Sequence, residues 1–248
     1  MMKLTILGSG GSAVSAKRAC PCFVVDDSIV FDLGPGSLKN LRVSQITLDH
    51  LTSVFISHAH ADHISDLVPF LWAIQIDGRQ TPLHIYGPPN FRTTLQKLFE
   101  CTNTPKDFFE FPLSVTELEF GQKVGKVSTC RSAHAIPTLA FRVNSNGKSF
   151  CYTADTGYCP AVVELARDVD LLLHEATFLE DQLAIAELTT HSTARMAGRA
   201  GKDSRAKGLV LFHIPPPNEH RENEFQAETS GEYGKTVTIG TDLLSVEI

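Results

Sequence analysis

The chain has 248 residues, of which 42% are hydrophobic and 20% charged, ordinary values for a soluble globular protein. Its formal net charge of −6, histidines neutral, argues against a broad basic surface for nucleic acid while leaving room for a local patch. No apolar run approaches the roughly 20 residues that span a bilayer. The opening MMKLTILGSG enters a strand pattern directly, without a signal-peptide layout, so a cytoplasmic protein is expected. Cys20, Cys22, Cys101, Cys130, Cys151 and Cys159 form no C-x-x-C pair. The C-x-C of Cys20 and Cys22 is weak evidence for a metal clip, and unpaired thiols in a reducing compartment are the expectation.

In chain order, Lys3–Leu7 predicts a strand that ends in the Gly8-Ser9-Gly10-Gly11 turn. Phe23–Val25 and Ile29–Phe31 predict a hairpin across Asp26-Asp27-Ser28, and Asp32-Leu33-Gly34-Pro35-Gly36 turns into a short helix near Ser37–Leu41. Val54–Ile56 is a buried strand that runs into Ser57-His58. Leu67, Phe70, Leu71 and Ile74 then recur at helical spacing, with Pro69 tolerated in the first turn. Leu83–Tyr86 reads as a strand closed by Gly87-Pro88-Pro89, and Phe91–Phe99 as an amphipathic helix. Leu113–Leu118, Lys123–Thr129, Leu139–Val143 and Ser149–Ala154 read as strands, the last two joined by a hairpin at Asn144-Ser145-Asn146-Gly147. Pro160–Ala166 predicts a helix, Leu171–Leu173 a strand, Ser192–Ala200 a helix capped by Ser192 or Thr193, and Leu209–Phe212 a strand. Pro215-Pro216-Pro217 reads as a stiff connector and Thr236–Ile248 as a closing strand pair. No internal repeat stands out, and one domain over residues 1–248 is expected.

Strands repeatedly stop at metal-capable residues: His58, Asp155, His174 and His213. Side chains at strand ends converge on one rim of a sheet, where binding sites often lie. The densest signal is Ser57-His58-Ala59-His60-Ala61-Asp62-His63. His58, His60, Asp62 and His63 cannot share one regular face, but on a tight loop they can address two adjacent cations. Imidazole nitrogen suits zinc, iron, nickel or manganese, and the carboxylate adds charge and a base.

His-x-His-x-Asp-His after a hydrophobic strand resembles the signature of the metallo-β-lactamase superfamily. The Leu7-Gly8-Ser9-Gly10 turn, Phe31-Asp32-Leu33-Gly34, His134, Asp155 and His213 follow the same order along the chain. The resemblance implies an α/β fold, an αββα sandwich of two mixed sheets flanked by helices. It implies two divalent metal ions, zinc first with manganese or iron as alternatives. His58, His60 and His134 would hold one and Asp62, His63 and His213 the other, with Asp155 as bridge. Asp32 would stand behind the ligands and fix a histidine tautomer.

His174-Glu175-Ala176-Thr177 and His191-Ser192-Thr193 resemble the HEAT and HST motifs of the ribonuclease Z group, and Gly87-Pro88-Pro89 resembles a turn of that group. The resemblance implies a phosphodiesterase in which Asp62 handles the attacking water and His191, held by Glu175, protonates the leaving group. His174 is expected to be structural, and His50, His84 and His220 to serve surface or packing roles. One departure stands out. Ribonuclease Z enzymes that process tRNA carry a projecting arm between the third histidine and the bridging aspartate. Here residues 135–154 alone separate His134 from Asp155, closed as a plain hairpin, and Thr102–Gln122 is not basic. Pre-tRNA, short RNA and cyclic or small phosphodiesters all remain open as substrates. So do two alternatives on the same scaffold: thioester or lactone hydrolysis, and a metal-bound nucleotide- or RNA-binding module without catalysis. A homodimer is expected from the resemblance.

Overall fold

The computed structural model describes residues Met1–Ile248. The strands of the first half are β1 (Lys3–Gly8), β2 (Cys22–Val25), β3 (Ile29–Phe31), β4 (Ser53–Phe55), β5 (Leu83–Gly87) and β6 (Leu113–Glu117). Those of the second half are β7 (Lys123–Val124), β8 (Val127–Arg131), β9 (Leu139–Ser145), β10 (Lys148–Tyr152), β11 (Leu171–Glu175), β12 (Gly208–Phe212) and β13 (Thr238–Ile239), and β14 (Ser245–Glu247) closes the chain. The helices are α1 (Ser37–Val43), α2 (Ala61–Ile64), α3 (Leu67–Ile76), α4 (Phe91–Cys101), α5 (Pro160–Leu165), α6 (Leu183–Thr189), α7 (Ala194–Asp203) and α8 (Glu222–Tyr233).

Two seven-stranded sheets result, ordered β14-β1-β2-β3-β4-β5-β6 and β13-β12-β11-β10-β9-β8-β7. Each is mixed: β3, β4, β5 and β6 are parallel in the first sheet, and β10, β11, β12 and β13 in the second. Parallel strands are covered on both faces, which is why Leu171–Leu173 and Leu209–Phe212 are apolar without alternation.

Three apolar layers hold the sandwich. Phe70, Leu71 and Ile74 of α3 and Phe91 and Leu95 of α4 cover Val54 and Ile85 on the outside of the first sheet. Phe23, Phe31, Phe55, Phe141, Phe150, Tyr152 and Phe212 fill the space between the sheets. Edge-to-face and tilted ring pairs lock this middle layer, with centroids 5.1 Å apart for Phe23–Phe212 and 5.3 Å for Phe31–Phe141. Ala194, Ala197, Phe225 and Tyr233 of α7 and α8 cover Leu172 and Leu211 on the far side. Gly198 lets α7 and α8 approach closely, because a Cβ there would stand 2.6 Å from the Thr229 carbonyl oxygen. The expected αββα sandwich is the observed fold.

Three local expectations need correction. Lys123–Thr129 is not one strand: Gly125, at φ +54°, turns the chain between β7 and β8, which pair antiparallel. Thr236–Ile248 is not a strand pair: β13 joins β12 and β14 joins β1, in different sheets. The helix expected at Ser192 begins at Ala194, with the Thr193 hydroxyl accepting from Met196 N. Pro216–Arg221 form a 3-10 turn within the stiff connector, and the sequence pattern marks neither α6 nor α8. No helix is long and apolar enough to cross a membrane.

Candidate metal centre

The carboxyl ends of β3, β4, β10, β11 and β12 meet at one edge of the sandwich. After β4 the chain presents Ser57 and His58, then His60, and turns into the single-turn helix α2 that carries Asp62 and His63. His134 arrives on the loop between β8 and β9, Asp155 follows β10, Glu175 ends β11 and His213 follows β12. Asp32, Ala154 and His213 all sit at positive φ, +55°, +52° and +67°. Non-glycine residues rarely adopt such backbone, and strain of this kind clusters at functional sites.

Two donor groups share one carboxylate. His58, His60, His134 and Asp155 form the first and Asp62, His63, Asp155 and His213 the second, with donor atoms in each group within 4.8 Å of one another. Asp155 Oδ2 lies 3.5 Å from His58 Nε2 and 3.9 Å from His134 Nε2. Asp155 Oδ1 lies 3.2 Å from His63 Nε2 and 3.3 Å from His213 Nε2. His60 Nδ1 is 3.1 Å from His58 Nε2 and 3.2 Å from His134 Nε2, and Asp62 Oδ2 is 3.3 Å from His213 Nε2. These separations are close to the about 3.3 Å edge of a tetrahedron with metal–ligand arms of ~2.0–2.1 Å.

Buried atoms provide the test of fit. His63 Nε2 and Asp155 Oδ1 have no hydrogen-bond partner although both are fully buried. They lie 3.2 Å apart but are not aligned to bond each other. Buried polar atoms left this way cost roughly 1–3 kcal/mol each, so their convergence suits a shared cation. The seven residues therefore fit divalent metal binding.

The backs of the rings are fixed by neighbours. His63 Nδ1 donates to Asp32 Oδ2 at 2.8 Å, and the same oxygen accepts from Ser57 Oγ at 2.7 Å and Tyr152 Oη at 2.5 Å. Asp32 Oδ1 accepts from Ser57 N at 2.7 Å. His134 Nδ1 donates to the Thr190 carbonyl at 3.1 Å, and His213 Nδ1 lies 2.8 Å from Thr177 Oγ1. The face of His213 packs on Gly11, where a Cβ would fall 2.2 Å from its Nδ1, and its backbone N–H donates to Ser9 O. Asp62 Oδ2 accepts from Ser12 N at 2.9 Å. Such partners orient metal-binding rings and set which nitrogen carries the proton.

Burial pushes His58, His60 and His134 below the usual imidazole value, and in His58 the neighbouring His63 adds to it. Neutral rings are the ligand form. Burial would lower His63 too, but Asp155 and Asp32 outweigh it and hold that ring well above its ordinary value. Ligation at Nε2 requires that proton to leave. Burial would raise Asp155, yet His213, His63 and His58 hold it well below the carboxylate range. Asp62 behaves alike, with the His213 hydrogen bond and the His63 charge outweighing its burial. Two ionised carboxylates thus face the cluster.

Beside it, His191 Nδ1 donates to Glu175 Oε1 at 2.8 Å, and the His191 ring stacks on His213 with centroids 5.3 Å apart. Burial alone would lower His191, but the charge and hydrogen bond of buried Glu175 hold it at about 9. His174 is buried with Nδ1 on the Glu175 carbonyl oxygen at 2.7 Å, away from the donor groups, and His50, His84 and His220 are exposed elsewhere. The sequence reading passed over Ser57, Tyr152, Thr177 and Thr190, which hold the rings from behind. Ser57 and Thr177 stand inside the quoted motifs, but nothing in their spacing reports a contact with Asp32 or His213.

Fold and site together define a metallohydrolase-type sandwich. The model of the beta-lactamase superfamily domain matches residues 28–214, and the chain belongs to that family. The metallo-β-lactamase fold protein YhfI of Bacillus subtilis superposes with a TM-score of 0.86 at 26% identity, covering 100% of this chain and 99% of that one. The short form of human tRNase Z superposes with a TM-score of 0.81 at 26% identity, covering 99% of each chain. A ribonuclease Z from Myxococcus xanthus is 27% identical, covering 100% of this chain and 98% of the relative. That alignment runs over 305 positions against 248 residues here, so the relative carries residues that this chain lacks.

Proposed function

We propose that this chain is a metal-dependent phosphodiesterase of the ribonuclease Z kind. One observation carries the reading: two donor groups meet at Asp155, and the His191–Glu175 pair lies beside them. Likeness to ribonuclease Z and to tRNase Z over the full chain supports it. His58, His60 and His134 would hold the first cation and Asp62, His63 and His213 the second, with Asp155 placed to serve both. The imidazole and carboxylate donors suit zinc, with manganese or iron as alternatives.

When bound, the cations supply an activated water and neutralise the non-bridging phosphate oxygens. Asp62 Oδ2, held by Ser12 N, orients the attacking water and accepts its proton. His191 keeps its Nδ1 proton on Glu175 Oε1, which leaves the Nε2 proton to give to the departing oxygen. Asp155 stays ionised at the shared edge.

The substrate reading follows from the second sheet. β9 and β10 are joined directly through Asn146 and Gly147, so nothing projects between His134 and Asp155 to grip a tRNA elbow. Short RNA and small or cyclic phosphodiesters are the preferred substrates of this reading. We read residues 1–248 as one domain, and as a cytoplasmic homodimer, which sedimentation would check. Hydrolysis of bis-(p-nitrophenyl) phosphate with zinc or manganese tests the activity, and absence of turnover with either metal in fully loaded protein would remove it. Pre-tRNA cleavage beside cleavage of a small cyclic phosphodiester tests the substrate class.

A further inference from the structure

Thr177 is buried on the loop after β11, and its backbone is held from both sides. Its N–H donates to Glu175 Oε2 at 3.0 Å, and its carbonyl accepts from Asn218 Nδ2 at 3.1 Å. Its hydroxyl has three neighbours: Glu175 Oε2 at 2.8 Å, His213 Nδ1 at 2.8 Å and His191 Nδ1 at 3.2 Å. A hydroxyl has one proton to donate and two lone pairs with which to accept. Both Glu175 oxygens act as acceptors, Oε1 from Thr156 N and His191 Nδ1, Oε2 from Thr177 N. The hydroxyl proton therefore goes to Glu175 Oε2, and toward His213 the oxygen can only accept. His213 Nδ1 must then carry a proton, so Nε2, 3.3 Å from Asp62 Oδ2 and from Asp155 Oδ1, is the one ring nitrogen that can offer a lone pair to a cation.

We infer that Thr177 is a positioning residue that joins the second cation cage to the proton-donating pair through one hydroxyl. It fixes the tautomer of His213 on one side and the Glu175 carboxylate that holds His191 on the other. Nothing else within hydrogen-bond distance of His213 Nδ1 does this. The inference rests on the phosphodiesterase reading only for what His191 does; the effect on His213 is independent of any reaction.

The experiment compares Thr177→Val, which keeps the shape and removes the hydroxyl, with Thr177→Ser, which restores it. Zinc content is measured after equilibration in chelator-buffered zinc. Thr177→Val should bind its second equivalent about ten- to hundred-fold more weakly than wild type, the usual cost of losing such a partner. Its first equivalent should stay unchanged, and Thr177→Ser should bind both as wild type does. At saturating zinc, Thr177→Val should lower kcat with little change in KM, and Thr177→Ser should recover most of it. Wild-type affinity for two equivalents in Thr177→Val would overturn the inference, as would equal weakening of both sites. Should Thr177→Val not fold, the wild-type chain still decides. Nitrogen-15 NMR of zinc-loaded protein should show His213 protonated at Nδ1, and a proton at Nε2 instead would overturn the inference. A wild type that binds zinc this way yet cleaves no phosphodiester would sink the activity reading and leave the Thr177 link standing.

Discussion

In the first sheet, antiparallel β14, β1, β2 and β3 give way to parallel β4, β5 and β6; in the second, antiparallel β7, β8, β9 and β10 give way to parallel β11, β12 and β13. Corresponding strand ends carry different chemistry. β3 leads to Asp32 and β10 to Asp155, each beside a residue in left-handed backbone or in one itself. β5 ends at Gly87-Pro88-Pro89, whereas β12 leads to His213-Ile214-Pro215-Pro216. The first half places His58, His60, Asp62 and His63 on one short stretch after β4. The second half spreads His134, Asp155, Glu175 and His213 over four connections. One half thus supplies donors through local sequence and the other through packing, and the middle aromatic layer ties them together where Tyr152 reaches Asp32 behind His63.

That contrast can be broken most severely at Asp155, the side chain common to the groups His58–His60–His134 and Asp62–His63–His213. Asp155→Asn should lower occupancy of both sites together and reduce phosphodiester turnover by about 10⁴-fold or more, beyond the range that loss of a general acid spans. Metal analysis with steady-state kinetics checks this; loss of one site alone would mean that Asp155 does not bridge.

Removing His191 should act on chemistry while leaving the cages intact. His191→Ala should cost about 10²–10⁴-fold with alkoxide leaving groups and far less with nitrophenolate, which departs without a proton. A proton donor works only below its own pKa, so wild-type kcat should fall as pH rises through about 9. Glu175→Gln should move that limb down toward the ordinary imidazole value near ~6.5. A limb that stays in place would contradict the pairing.

The aromatic layer sharpens the comparison at Tyr152, whose hydroxyl reaches Asp32 across the sandwich. Tyr152→Phe should weaken the second site about 10–100-fold through Asp32 and His63, and more than the first, which Asp32 reaches only by way of Ser57 and His58, read by competitive zinc titration. At the small end, His84 is exposed on β5, its Nδ1 on Ser114 Oγ. His84→Ala should change stability by less than about 0.5 kcal/mol and leave metal content alone, as thermal melts and zinc analysis would show.

The same contrast explains what could be read from sequence. The histidine stretch was legible because four donors stand within six positions after an apolar strand. His134, Asp155 and His213 were legible through order and resemblance rather than spacing, since tertiary packing alone brings them in. The Asp32–Tyr152 contact, 120 positions apart, left no local trace. The turn between β7 and β8 leaves little trace because Gly125 alone marks it, between Val124 and Val127 that both suit strands. α8 was missed because its buried side is Phe225, Thr229 and Tyr233, an apolar stripe with a threonine at its centre. β13 and β14 were assigned to each other as chain neighbours, yet each finds a better-covered edge on a different sheet.

Anomalous diffraction at the zinc edge, on crystals equilibrated with zinc, addresses the shared carboxylate directly. Two peaks per chain are predicted, one among His58, His60 and His134 and the other among Asp62, His63 and His213, with Asp155 between them. A single peak, or a pair with Asp155 bound to only one, would contradict it.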